Sequence, residues 1–151
     1  ETWPHIVARN AHLKLCDMSV AAQSTAQALA DYGHMLPRLA PASLVIIEVG
    51  GNDFLGEATP ESYGRGLDGL LAAASAATPN VFVVELPVIP GTRAYGALQR
   101  EIVARRGVKL IPKHHLAAVL ADPDNTTDGI HLTQRGHDEL ARRIGKLLKP
   151  S

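Results

Sequence analysis

Short β-branched runs alternate with segments of helical periodicity along this chain, and this alternation constrains the fold more than any other feature. Residues 43–49 (SLVIIEV) and 80–86 (NVFVVEL) are almost continuously apolar, which is typical of parallel strands covered on both faces. Weaker strands are predicted at residues 108–111 and 12–16. Because parallel strands need crossover connections, the alternation predicts an α/β protein, a three-layer α/β/α sandwich around a parallel sheet.

Two helices have clear boundary signals. One is predicted after Thr59, an N-cap residue type, with Pro60 at the first helical position. The other follows Thr133 and stops at Pro150. Their apolar stripes are Tyr63, Leu67, Leu70, Leu71 and Ala74 in the first, and Leu140, Ile144, Leu147 and Leu148 in the second. Further helices are predicted at residues 4–9, 21–36 and 94–105.

Composition limits the classes of function. The 151 residues carry 15 Lys and Arg and 15 Asp and Glu, so no basic field attracts nucleic acid or anionic lipid. The length suits one domain over residues 1–151, and no apolar run reaches the roughly 20 residues of a membrane span. Cys16 is the single cysteine, which excludes an internal disulfide, and its apolar neighbours predict a buried, inert thiol.

The segment after the strongest strand is a candidate site, because open parallel sheets bind ligands beyond the carboxyl ends of their strands. Residues 50–53 read GGND, and the two glycines allow a sharp turn. A simple turn is the first interpretation. The alternative is that the side-chain amide of Asn52 donates a hydrogen bond to a developing oxyanion.

A second candidate site precedes the last helix, where residues 128–131 read DGIH. The carboxylate of Asp128 can accept from one imidazole nitrogen of His131 while the other nitrogen faces a substrate, as in a hydrolytic triad. The adjacent His114 and His115 are expected to point apart rather than to bind a metal.

A calcium loop is the alternative for this acidic segment. Thr127 stands where the EF-hand pattern requires glycine, and Thr133 stands where it requires glutamate. A solvated acidic loop is therefore favoured for the candidate ligands Asp122, Asp124, Asn125 and Asp128.

Together these motifs resemble the SGNH hydrolases, also called GDSL esterases and lipases, in particular the small bacterial thioesterases, lysophospholipases and arylesterases. GGND matches the family's G-x-N-D block, and Asp128, His131 and Leu132 match its D-x-x-H-L/P block. The resemblance spans essentially the whole chain. It implies a flavodoxin-like sheet, Asn52 as oxyanion donor, His131 as general base and Asp128 as its orienting acid. It also implies a periplasmic or secreted protein that needs no metal or cofactor.

One further family block is altered. Residues 19–25 (SVAAQST) stand in place of S-x-S-G-D-T, which puts Ala22 at the glycine position. Alanine keeps the backbone N–H that the resemblance assigns to the oxyanion hole, but its methyl group costs about 1 kcal/mol or more if the position needs a positive φ. Ser19 after Asp17 faintly matches the nucleophile block, yet its spacing from Asn52 assigns it to this block instead.

The G-D-S-L block, which carries the nucleophilic serine, is absent from the sequence. The expectation is an N-terminal segment carrying the serine and the first strand, without which the 151 residues neither fold stably nor hydrolyse esters. The implied function is hydrolysis of small-molecule carboxylic esters or thioesters by a Ser-His-Asp triad. The alternatives are a non-catalytic carbohydrate- or lipid-binding module of the same fold, or an acyltransferase.

Overall fold

A computed structural model describes residues 1–56, 58–87 and 89–148. They form two compact units. The central unit is Val20–Leu110, and the terminal unit combines Glu1–Ser19 with Ile111–Ser151.

The sheet has three strands, ordered as in the chain: β1 (Val45–Ile47), β2 (Val81–Val84) and β3 (Lys109–Ile111). β1 and β2 pair in parallel, with Val45 opposite Val81. Three of the four predicted strands are therefore confirmed, each shorter than its apolar run, and the α/β class with a parallel sheet is confirmed with them. β2 is largely buried, whereas β1 lies at the edge of the described sheet and is only half-buried.

The helices of the central unit are α2 (Thr25–Tyr32), α3 (Gly51–Leu55), α4 (Pro60–Ala77) and α5 (Arg93–Arg106). α4 begins where it was predicted to begin, because the Thr59 hydroxyl accepts a hydrogen bond from the Ser62 amide at 3.2 Å. Its predicted apolar stripe is buried throughout and packs against α2 and α5. The core of this unit is therefore centred on α4.

The helix predicted over residues 21–36 is shorter than expected. It begins only at Thr25, because Ser24 and Gln27 form a reciprocal capping box that fixes the start of α2. The helix ends at Tyr32, and the 3-10 helix Leu36–Leu39 follows it with Pro37 inside. The segment before Ser24 is consequently a turn.

The terminal unit contains α1 (Trp3–Asn10), α6 (His114–Leu120), the 3-10 helix Pro123–Asn125 and α7 (Gln134–Leu147). Thr133 caps α7 as predicted, and Leu140 and Ile144 are buried, but Leu147 is exposed because it lies in the last turn. The predicted stop at Pro150 lies outside the described residues. No helix in the part of the chain that the structure describes is long and apolar enough to cross a membrane.

The strand predicted at residues 12–16 is wrong. His12 has a φ of +55° and ends α1 in a left-handed conformation, with its amide donating to the Arg9 carbonyl and the Leu13 amide donating to the Ala8 carbonyl. The segment that follows has no ladder partner among the described residues and is solvent-exposed. Cys16 is accordingly exposed rather than buried.

Candidate active site

The loop that carries Asp128 and His131 is held closed at its base. Thr126 and Leu132 form an isolated antiparallel bridge, and the Thr127 amide donates to the His131 carbonyl at 2.8 Å. Gly129, with a φ of +87°, allows the chain to reverse between these contacts. His131 is thereby presented just before α7.

Asp128 contacts both the imidazole and the backbone of His131. One carboxylate oxygen lies 2.6 Å from Nδ1 of His131, and the other accepts from the backbone amides of His131 at 2.8 Å and Ile130 at 3.0 Å. These amides, with the imidazole, hold the pKa of Asp128 down at about 2. The carboxylate is therefore ionised at neutral pH. The His131 side chain is 78% exposed, which leaves its Nε2 open to a reacting group.

The turn after β1 requires its first glycine. Gly50 has a φ of +117°, and a Cβ there would lie 2.8 Å from the ring of Tyr63. The turn ends at once in α3, which places Asn52 in the first helical turn. Gly50 therefore makes the turn, and the rest of the GGND motif is the start of α3, which carries the Asn52 amide.

The structure brings Asn52 to the segment that contains Ala22. The Asn52 side-chain amide donates to the Gln23 carbonyl at 3.3 Å, and its second N–H has no acceptor among the residues that the structure describes. Ala22 has a φ of +62°, the left-handed conformation that makes a methyl group costly. Its amide donates to no acceptor among the described residues. The Ala22 N–H and the second N–H of Asn52, neither with an acceptor in the described part of the chain, are therefore both close to Gln23.

Asp53 stands inside the GGND motif, but the motif alone indicates no role for its side chain. Asp53 is 1% exposed and accepts from both the amide and the hydroxyl of Thr25, at 2.9 and 2.8 Å. Tyr63 lies nearby, and its hydroxyl has no partner among the described residues. Burial raises the pKa of Tyr63, and the negative charge of Asp53 raises it further.

The predicted site residues fall into two pairs. Asp128 and His131 contact each other in the terminal unit, and Ala22 and Asn52 lie together in the central unit. Ser19, the alternative nucleophile, donates its hydroxyl to Asp17 at 2.6 Å, so its partner is a carboxylate rather than an imidazole.

The two remaining candidates, the histidine pair and the acidic loop, contact other side chains. The ring centroids of His114 and His115 lie 4.0 Å apart with their planes tilted by 40°, so the two rings contact each other instead of pointing apart. In the acidic loop, Arg135 binds Asp124 at 2.8 Å and Asp122 at 3.2 Å. No cluster of three potential metal ligands occurs in residues 1–56, 58–87 and 89–148.

A comparison with known protein families identifies the family of this chain. The sequence matches the GDSL-like lipase/acylhydrolase family over residues 1–139. The chain belongs to this family. The resemblance inferred from the motifs is therefore confirmed. A comparison with curated proteins gave no match.

Solved structures of similar fold are SGNH hydrolases and esterases. TesA superimposes with a TM-score of 0.86 at 23% identity, covering 99% of this chain and 88% of TesA. The psychrotrophic esterase EstA from Pseudoalteromonas sp. gives 0.79 at 18% identity, covering 97% and 87%. AlinE4, an SGNH-hydrolase family esterase, gives 0.69 at 23%, covering 97% and 85%. At these identities the likeness concerns the fold, and it confirms the predicted α/β/α sandwich of the SGNH type.

Proposed function

We propose that this chain is the larger part of a serine hydrolase that cleaves carboxylic esters or thioesters of small molecules. Membership of the lipase/acylhydrolase family supports ester hydrolysis as the reaction class. The observation that carries the finer proposal is the 2.6 Å contact between Asp128 and Nδ1 of His131, with Nε2 left open.

The proposed reaction uses His131 as a proton shuttle. A serine hydroxyl attacks the acyl carbon, and Nε2 of His131 accepts the hydroxyl proton as the new C–O bond forms. The ionised Asp128 stabilises the resulting imidazolium through Nδ1. The imidazolium then returns the proton to the departing alcohol or thiol, and water releases the acyl group by the same steps.

The tetrahedral oxyanion needs hydrogen-bond donors. We assign this role to the side-chain amide of Asn52 and the backbone N–H of Ala22, because each retains a free N–H beside Gln23. A donor of this kind stabilises the transition state by about 2.7 to 4 kcal/mol. Alanine keeps the backbone N–H that glycine would supply at this position.

We propose that the nucleophilic serine belongs to a polypeptide segment outside these 151 residues. The sequence contains no G-D-S-L motif, and Ser19 is bonded to Asp17. β1 also lies at the edge of the described sheet, where its unpaired backbone groups can accept another strand. One segment carrying both a strand and a serine would supply both needs.

The test is hydrolysis of a short p-nitrophenyl ester by the complete protein and its His131→Ala variant. Turnover should fall by at least about a thousandfold, because the serine loses its proton acceptor. His34→Ala, at an exposed turn of the central unit, is the matched control and should leave turnover unchanged.

Other outcomes would contradict the proposal. Near-wild-type turnover in His131→Ala would refute the assignment of the base. No hydrolysis by the complete wild-type protein would favour the non-catalytic binding module. Acyl transfer to an added alcohol in preference to water would favour the acyltransferase.

A further inference from the structure

We propose that Asp53 is a positioning residue that holds the Ala22 segment in its oxyanion-binding conformation by clamping Thr25. This inference rests on the proposed function, because it assigns the means by which the two oxyanion donors are held. Asp53 is not itself placed against the substrate.

The clamp is a buried contact of two hydrogen bonds between residues that are distant in the sequence. Both oxygens of Asp53 are used, one by the Thr25 amide at 2.9 Å and one by its hydroxyl at 2.8 Å. Thr25 is 0% exposed and Asp53 is 1% exposed, so water does not compete for these bonds. Such a contact fixes both the distance and the direction of the attached segments.

The clamp acts where the backbone is strained. Ala22, three residues before Thr25, has a φ of +62°, and a non-glycine residue keeps this conformation only when its surroundings impose it. Asn52, the neighbour of Asp53, donates to the Gln23 carbonyl between them. Residues 52 and 53 therefore form hydrogen bonds to the chain at two positions shortly after Ala22, Gln23 and Thr25.

Close packing restricts the movement of Thr25. A Cβ on Gly66 of α4 would lie 2.6 Å from the Thr25 hydroxyl oxygen and 2.7 Å from its carbonyl carbon. The backbone of α4 therefore packs directly against Thr25 at this glycine, where there is no room for a side chain. Asp53 and Gly66 together confine Thr25, and through it the turn that presents the Ala22 N–H.

The test compares Asp53→Ala with Leu70→Ala in the complete protein. Asp53→Ala should lower kcat about tenfold or more with KM within twofold, since misplaced donors weaken only the transition state. Leu70 is a buried core residue of α4 with an apolar side chain, so Leu70→Ala destabilises the same unit without removing a hydrogen bond of the clamp. It should leave the kcat of folded protein unchanged.

Two further variants remain informative if Asp53→Ala does not fold. Thr25→Val removes the hydroxyl bond but keeps the amide bond, and should lower kcat about threefold, whereas Thr25→Ser keeps both and should preserve kcat.

The failures of the two proposals are distinguishable. If wild-type protein is active and depends on His131, but the Asp53→Ala and Thr25→Val variants keep kcat within twofold, the clamp is refuted and the proposed function stands. Hydrogen exchange of the Thr25 amide tests the clamp proposal without requiring enzymatic activity. It should quicken relative to the amides of α4 in Asp53→Ala but not in Leu70→Ala, and equal protection in both would overturn the inference.

Discussion

Replacing Ala22 by glycine should stabilise the complete protein. Ala22 sits at a φ of +62°, where an L-residue costs about 1 to 2 kcal/mol. Glycine removes this cost but adds about 0.4 to 1 kcal/mol of unfolded-state entropy. The Ala22 side chain is exposed, so its loss removes little buried surface.

The difference of these effects is a gain of about 0 to 1.6 kcal/mol in the free energy of unfolding, centred near about 0.8 kcal/mol. For a protein of about 150 residues, this gain raises Tm by about 1 to 4 °C. Because the substitution keeps the backbone N–H, kcat for the p-nitrophenyl ester should stay within twofold or rise.

Ala21→Gly is the matched control, since Ala21 is also exposed but has no positive φ. It should lower the free energy of unfolding by about 0.5 to 1 kcal/mol. Urea and thermal unfolding of both variants decide the matter. If Ala22→Gly destabilises the protein as much as Ala21→Gly does, the strained conformation assigned to Ala22 is refuted.

Three other predictions concern the site and its support. Asn52→Ala should lower kcat about a hundredfold with little change in Tm; early melting with normal specific activity would show a turn residue only. Tyr63→Phe removes a buried hydroxyl without a partner among the described residues, so the free energy of unfolding should hold or rise by up to about 1 kcal/mol, and a large loss in urea unfolding would contradict this. Arginine partners hold the pKa of Asp68 and of Glu139 at about 2, below the usual carboxyl range. The unfolded state therefore binds more protons as pH falls from about 4.5 towards 2, and the urea midpoint should decline over that window rather than stay level.

Local signals explain what the sequence could predict. The starts of α4 and α7 depend on Thr59 and Thr133, whose hydroxyls act within three residues. The contact between Asp128 and His131 is equally local, and glycine between them permits the turn. Such features need no knowledge of the rest of the fold.

The predictions from the sequence fail where the structure depends on residues far apart in the chain or on weak local signals. His12 ends α1 in a left-handed conformation that glycine or asparagine usually adopts. Because neither residue marks this position, the alternating residues after it predict a strand. The role of Asp53 depends on Thr25, 28 residues away in the chain. The motif placed Ala22 at a glycine position, but only the structure shows the positive φ there.

The central claim is that His131, oriented by Asp128, activates a serine from outside these 151 residues. Treating the complete protein with a fluorophosphonate tests it directly, because a serine oxygen then bonds to phosphorus, fluoride leaves and the base takes the proton. Peptide mapping by mass spectrometry should place the label on a serine outside these 151 residues, and His131→Ala should slow labelling by at least about a hundredfold. Labelling of Ser19, or labelling that proceeds equally fast without His131, would contradict the account.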